Sequence, residues 1–313
     1  MYVLGVDVGG TSIKLGLLSV EGTIVDKWEI PTRKENHAES VIPDIAASIQ
    51  EKMNEKQLKR DRILGIGVGV PAPVVGGGFI KTTANLGWVD KDVKGELEAL
   101  TGLTVMVGND ANMAALGEMW IGAGDGEENM VMVTLGTGVG GGAIVGGRAL
   151  VGANGAAAEI GHLKVNYGET RRCGCGKCGC LEQYASATGI AYLAKTRLLE
   201  DEKPSMLRGK EKVSAKDVFD AVKAGDEVAI EIAETFGKYL GYGLSDVAAA
   251  FDPAVFVIGG GVSKAGEIII PFIEKYYHDR CFFADEEVRF VIATLDNDAG
   301  IAGAAKLLID SVK

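Results

Sequence analysis

Twice along this chain an apolar, β-rich run ends in a glycine turn and restarts as a second apolar run. The first unit is Tyr2–Val8, the turn Asp7-Val-Gly-Gly-Thr11, then Ser12–Ser19. The second is Met130–Leu135, the turn Thr134-Leu-Gly-Thr-Gly138, then a strand expected over Gly142–Val151. Such an internal repeat predicts two similar α/β halves, each presenting one turn to a shared cleft. Small residues in these turns let backbone N–H groups approach phosphate oxygens, and the hydroxyls of Thr11 and Thr137 add donors. Glycine supplies 45 of the 313 residues, about twice the ~7% of an average soluble protein.

Around the repeat the periodicity alternates. Glu21-Gly22 turns the chain into Thr23–Trp28, completing an antiparallel meander. Val41, Ile42, Ile45, Ile49 and Met53 recur at helical spacing within Ala38–Lys59. Ile63–Val70 and Thr104–Gly108 read as strands and Ala111–Trp120 as a helix. Val228, Ile232, Phe236, Leu240 and Leu244 line one face of a long helix that Asp252-Pro253 ends. Ala254–Ile258 is a buried strand, Gly259-Gly-Gly261 a third glycine turn, and a helix is expected from about Ser263. Gly300–Ser311 closes as an apolar helix, and Asp201–Lys212 is expected to be a mobile loop. Ile63–Ile80 and Met130–Gly147 carry no charge over 18 residues each. Their glycines and prolines make them buried strands with turns rather than membrane spans.

Charge narrows the function. Lys plus Arg is 32 and Asp plus Glu is 43, a net charge of −11. That balance opposes binding to nucleic acid or anionic membrane and gives no support to polyphosphate as a phosphoryl donor. The opening MYVLGVDVGG lacks the basic start of a signal peptide, so a cytoplasmic location is expected.

Two segments carry candidate chemistry. Asn109-Asp110 stands between a strand and a helix, where a carboxylate can act as general base or merely cap the helix. Four of the five cysteines fall within eight residues, Cys173, Cys175, Cys178 and Cys180. With His162 nearby, that run suits tetrahedral zinc. A four-cysteine site, an iron–sulfur cluster and reduced thiols are the alternatives. Glu159 and Glu182 flank the run and are either surface acids or carboxylates held toward one cavity. Gly136-Thr-Gly138-Val-Gly-Gly141 matches a dinucleotide fingerprint literally. It leads into a strand rather than a helix, which argues against that use, and no G-K-[ST] occurs.

Asp7-Val-Gly-Gly-Thr11 with Lys14, Asn109-Asp110, Thr134–Gly138, Glu159-Ile-Gly-His162, the cysteine run ending at Glu182 and Gly259-Gly-Gly261 occur in an order that resembles the ROK family, from Val3 to Ala305. That family comprises sugar kinases and repressors, and the motifs look most like its bacterial glucokinases. The resemblance implies an actin-like, ribonuclease-H-like two-lobed α/β fold with an inserted zinc loop at 159–182. The small lobe would span 1–115 with the terminal helix at 298–313, and the large lobe 116–297.

It further implies ATP-dependent phosphorylation of glucose at the 6-hydroxyl, with Asp110 as base. Asn85, Asn109, Glu159, His162 and Glu182 would hold sugar hydroxyls. Asp7, Gly9, Gly10, Thr11, Lys14, Thr137, Gly138, Gly260 and Gly261 would surround ATP. Mg²⁺ would arrive with the nucleotide near Asp7, and His162, Cys173, Cys175 and Cys180 would bind structural Zn²⁺. Zinc would support sugar binding and leave the ATP turns nearly independent of it.

A homodimer is implied as well. The alternatives are a kinase for N-acetylmannosamine, fructose or allose, or a sugar-sensing protein without activity. Departures from the family pattern are Pro71-Ala72, where Pro-Gly is frequent, and the additional Cys178. With the first turn at Asp7, no room is expected for the repressors' helix-turn-helix.

Overall fold

The computed structural model describes residues 1–83, 85–282 and 287–312. The repeat forms two five-stranded sheets. In the first, β1 (Tyr2–Val8), β2 (Ser12–Ser19) and β3 (Ile24–Pro31) form the antiparallel meander. β4 (Ile63–Val70) adds to β1 in parallel, and the hairpin β5 (Phe79–Thr82) and β6 (Val89–Asp92) stands apart. β7 (Val105–Asn109) pairs in parallel with β4, giving the order β3-β2-β1-β4-β7.

The second sheet repeats that plan. β8 (Met130–Leu135), β9 (Val139–Val145), β10 (Arg148–Ala149), β11 (Val255–Gly259) and β12 (Arg289–Ile292) take the order β10-β9-β8-β11-β12. β8, β11 and β12 run parallel.

Burial explains the strand sequences. β1 is buried except at Tyr2 and Asp7, as expected of an apolar run inside a mixed sheet. β3 lies at an edge, and its residues alternate between half-buried and exposed. The helix Ala299–Ser311 lies directly on the first sheet because glycines make room for it. A methyl group on Gly5 would collide with the carbonyl of Ile301, and one on Gly67 with that of Ala304. The same helix meets the helix Asp110–Ile121 backbone to backbone, with Gly303 against the Met113 carbonyl and Gly117 against that of Ala299.

The chain falls into two compact units: Met1–Glu128 with Gly142–Ala157 and Thr294–Lys313, and Asn129–Gly141 with Ala158–Ala293. The expected boundary near residue 115 therefore lies further on. The Gly117–Ala299 contact keeps the whole helix Asp110–Ile121 with the terminal helix in the first unit.

A buried carboxylate completes that unit. Glu118 accepts backbone N–H groups from Ala123 at 2.8 Å, Thr294 at 3.2 Å and Leu295 at 2.8 Å. Buried acids are tolerated when hydrogen-bonded in this way.

In the second unit the helix Glu227–Phe251 receives the helix Ile270–Arg280 at two glycines. Gly237 abuts the Phe272 carbonyl, and Gly241 faces Ile273 and Tyr277.

Three elements differ from expectation. The strand expected over Gly142–Val151 is β9, which begins at Val139 and stops at Gly146-Gly147, both at positive φ. The helix expected from Ser263 begins as two 3₁₀ turns, Val262–Ala265 and Glu267–Ile269, separated by Gly266 at φ +85°; the α-helix starts at Ile270. The first long helix spans Val41–Glu55, shorter than Ala38–Lys59, since Ala38 has φ +53°. Asp201–Lys212 contains neither helix nor strand, and Arg208 pins it by donating to the carbonyls of Lys203 at 2.7 Å and Leu198 at 3.0 Å. Among the described residues no helix is long and apolar enough to cross a membrane.

Candidate functional site

The first unit presents a carboxylate group of residues at the ends of β1 and β7. Asp7 and Lys14 are partners across the β1–β2 ladder, and the Lys14 ammonium donates to Asn297 Oδ1 at 2.9 Å. The turn between these strands is closed by Gly9 N–H donating to the Ser12 carbonyl at 3.1 Å. Thr32 braces it, its hydroxyl reaching the Gly9 carbonyl at 2.8 Å and its N–H the Thr11 carbonyl at 3.0 Å. Thr11 itself is exposed. Burial raises the proton affinity of Asp7, and the charge of Lys14 counters it.

Asn109 and Asp110 divide the two roles that the sequence left open. Asn109 is the helix cap: its Oδ1 accepts from Ala111 N at 3.0 Å and Asn112 N at 3.2 Å. Its Nδ2 donates to Asp110 Oδ1 at 3.0 Å and to the Ala72 carbonyl at 3.3 Å. Asp110 is therefore spared capping duty, although its Oδ1 also accepts from Ala111 N at 2.8 Å. Burial pushes its carboxyl above the usual aspartate range, the nearby Asp7 pushes in the same direction, and the hydrogen bonds pull back. A half-buried aspartate of raised proton affinity at the mouth of a helix is suited to accept a proton. Asn85 is exposed on a loop closed by Thr83 and Trp88, whose backbone groups pair at 3.0 Å. Trp88 anchors that loop by donating from Nε1 to the Ala38 carbonyl at 3.2 Å.

The second unit carries the other turn and the thiol cluster, and Glu182 joins them. Gly136 N–H closes the turn on the Gly138 carbonyl at 3.0 Å. The start of the helix Ala187–Leu198 fixes it from below: Ala187 N–H reaches the Gly136 carbonyl at 2.8 Å and the Thr188 hydroxyl the Thr137 carbonyl at 2.9 Å. A methyl group on Gly138 would come within 2.6 Å of Glu182 Oε2. Gly260 has φ +87° and sits against the backbone of Leu135, while Gly261 faces open space. Glu159 is exposed just before the 3₁₀ turn Ile160–His162.

The ligand atoms of His162, Cys173, Cys175 and Cys180 all lie within 4.8 Å of one another. Around a tetrahedral ion with metal–sulfur bonds near 2.3 Å, ligand atoms stand about 3.8 Å apart. Cys175 Sγ and Cys180 Sγ are 3.7 Å apart, and Cys173 Sγ lies 3.8 Å from His162 Nδ1. Three thiols and an imidazole with these spacings fit a closed, structural zinc site. Cys178 points elsewhere, its thiol donating to the Thr170 carbonyl at 3.4 Å. Burial and a bond to Glu182 push the Cys173 thiol up, so metal entry has to release that proton.

Sequence reasoning missed Gln183. It is buried, and its Oε1 accepts from the N–H groups of Gly179 at 2.8 Å and Cys180 at 3.0 Å. Its Nε2 donates to the Arg171 carbonyl at 2.9 Å, and the Arg171 guanidinium donates to the Gln183 carbonyl at 2.9 Å. One side chain thus holds both sides of the cysteine loop. The signal was indirect: two consecutive N–H groups turned toward the metal loop need an acceptor. Asn297, the partner of Lys14, was missed as well.

The profile of the ROK family matches residues 3–311. The chain belongs to the ROK family. The glucokinase of Halalkalibacterium halodurans is 43% identical over 312 residues, spanning 98% of this ROK chain and 94% of the relative. The crystal structure of the ROK hexokinase from Thermus thermophilus superposes with a TM-score of 0.84 at 34% identity, covering 100% of this chain and 99% of that one. A ROK family glucokinase from Streptomyces griseus, solved in complex with glucose and AMPPNP, gives a TM-score of 0.75 at 32% identity, covering 98% and 99%. The actin-like, two-lobed α/β fold of ROK sugar kinases is thereby the fold of this chain.

Proposed function

We propose that this ROK protein transfers the terminal phosphoryl group of ATP to the 6-hydroxyl of glucose, giving glucose 6-phosphate and ADP. Glucokinases at up to 43% identity over nearly the full chain support the reaction. The observation that carries the chemistry is Asp110, half-buried and of raised proton affinity, held by the cap residue Asn109. Asp110 accepts the proton of the 6-hydroxyl as that oxygen attacks phosphorus. Phosphoryl transfer needs positioning and charge neutralisation more than covalent help, so one base and well-placed donors suffice.

Asn85, Glu159, His162 and Glu182 hold the remaining hydroxyls, and Asn109 contributes by fixing Asp110. His162 turns Nδ1 toward Cys173, which leaves Nε2 for a sugar hydroxyl. The backbone of Gly9, Gly10, Gly138, Gly260 and Gly261, with the hydroxyls of Thr11 and Thr137, surrounds the nucleotide. Lys14 and Asp7 face its phosphates. Asp7 is the carboxyl that would hold Mg²⁺ arriving with ATP, and the ion would supply charge neutralisation at the phosphates. Zinc supplies structure at His162, Cys173, Cys175 and Cys180. Each hydroxyl left unpaired in the site costs ~1–3 kcal/mol, which is the basis of discrimination between hexoses. Reduced thiols and the use of ATP suit a cytoplasmic setting, and the family resemblance supports a homodimer.

A coupled assay with ATP across glucose, mannose, fructose and N-acetylmannosamine tests the reading. Glucose is expected to give the highest kcat/KM. A higher value for another sugar reassigns the substrate, and no ATP turnover with any hexose removes the kinase reading.

A further inference from the structure

The first unit contains a cavity of about 460 Å³ that none of the proposed sugar or nucleotide residues except Asn109 lines. Its walls are mainly apolar, with Val74, Met106, Met113, Leu116, Val151 and Leu307 among them. Ligand pockets fall in the range of about 300–1,000 Å³, so the space is sufficient for a small molecule.

Two polar groups in this wall have no side-chain partner among the described residues. Asn112 is only 4% exposed; its backbone N–H bonds Asn109, and its carboxamide makes no hydrogen bond among the described residues. Among the described residues the only sealed side-chain nitrogens or oxygens without a partner are Arg171 Nε and Arg197 Nη1. The Asn112 carboxamide is therefore not sealed in; it opens onto the cavity it lines. A buried amide left unpaired costs about 1–3 kcal/mol unless water or a ligand satisfies it. The second group is Arg148, an exposed lining residue with no ion pair or side-chain hydrogen bond among the described residues. The acid in the wall, Asp310, is neutralised by Lys306 at 2.5 Å. The local charge offered to a ligand is thus the guanidinium.

The geometry points to a binding site for a small amphipathic monocarboxylate: an apolar body against the methionine and leucine side chains, the carboxylate on Arg148, and Asn112 bonding a polar atom of the ligand. The site adjoins the proposed sugar site only at Asn109 and is tested without sugar or ATP. Its occupant touches the wall that includes Val107, Gly108 and Asn109 at the end of β7.

The probe is 4-phenylbutyrate, with 4-phenylbutyramide as the neutral isostere and butyrate as the head group without the body. Binding is followed on the full chain by NMR of ¹³C-methyl methionine. Met106 and Met113 report the cavity, and the other six of the eight methionines report everything else.

Saturable shifts of Met106 and Met113 by 4-phenylbutyrate are expected, with each control about tenfold weaker or worse. Arg148→Gln should reduce the acid to the affinity of the amide, leave the amide unchanged and leave basal kinase turnover unchanged. Asn112→Leu should weaken both. Since Arg148 is at the surface, its variant remains informative even if Asn112→Leu does not accumulate. The inference is overturned if the acid produces no saturable shift at these two methionines, if acid and amide bind equally, or if either variant, once folded, binds the acid as the parent does.

Discussion

The thiol of Cys173 donates to Glu182 Oε1 across 2.7 Å, while Oε2 of the same carboxylate faces Gly138 in the glycine turn. Cys173 in the cysteine loop and Gly138 in the glycine turn proposed for the nucleotide therefore meet the same side chain. This alters the expectation that the nucleotide turn stands nearly independent of zinc. Zinc entry takes the Cys173 proton and so breaks this bond, and zinc removal restores it; removal should therefore change nucleotide affinity at the turn as well as weaken glucose binding, read by titrating AMPPNP and glucose before and after chelation. Unchanged nucleotide affinity in folded, zinc-free protein would show that Glu182 does not couple the two.

Gly138→Ala tests the same link from the other side. The added methyl would stand 2.6 Å from Glu182 Oε2, so the carboxylate must shift. Displacements of this size at an active site lower turnover by about 10²-fold. A fall in kcat/KM of that order is expected, with zinc content still at one ion per chain by mass spectrometry.

Asp110 should show opposite effects on activity and stability. Asp110→Asn removes the base and should lower kcat by about 10²–10⁴-fold. Because the folded protein holds this carboxyl above its ordinary range, folding favours the protonated form. Its contribution to stability is present at acid pH and is lost as pH rises through the folded-state value. The uncharged asparagine avoids that loss, so the variant should melt higher than the parent at pH 7, with the gap shrinking toward pH 4. In the parent, kcat/KM should fall on acidification at a higher pH than an unperturbed aspartate would give. A parent acid limb at the ordinary aspartate value would count against Asp110 as the base.

Gln183 is expected to preorganise the cysteine loop. Gln183→Leu preserves the bulk and removes the acceptor for Gly179 and Cys180 N–H. Zinc affinity measured by competition with a chelator should drop about 10–100-fold, the usual effect of removing a group that supports the ligands. Cys173→Ser, Cys175→Ser and Cys180→Ser should each lower zinc occupancy, and Cys178→Ser should not, since its thiol bonds the Thr170 carbonyl.

These residues also show where sequence reading succeeds. The doubled glycine turn foretold two similar α/β halves because strand periodicity and turn chemistry are local; the shared strand order emerged from the structure. The cysteine run was legible because few functions place thiols so densely. Asn297 and Glu118 were not legible because they bond groups far away in sequence, and Gln183 was not because the need of Gly179 and Cys180 N–H for an acceptor arises only once the loop is folded. The 3₁₀ turns at Val262–Ile269 escaped for a smaller reason: one residue, Gly266, decides between a continuous helix and two short turns.

The bare strips of Gly5 and Gly67, occupied by the backbone of the helix Ala299–Ser311, impose an order on biosynthesis. The strands β1 and β4 are shaped for a partner that is translated well after them. At elongation rates of about 5–20 residues per second, they wait on the order of tens of seconds for it. During that interval the nascent sheet carries an open apolar furrow, exposed surface of the kind that promotes aggregation, while every segment of the second unit is being made.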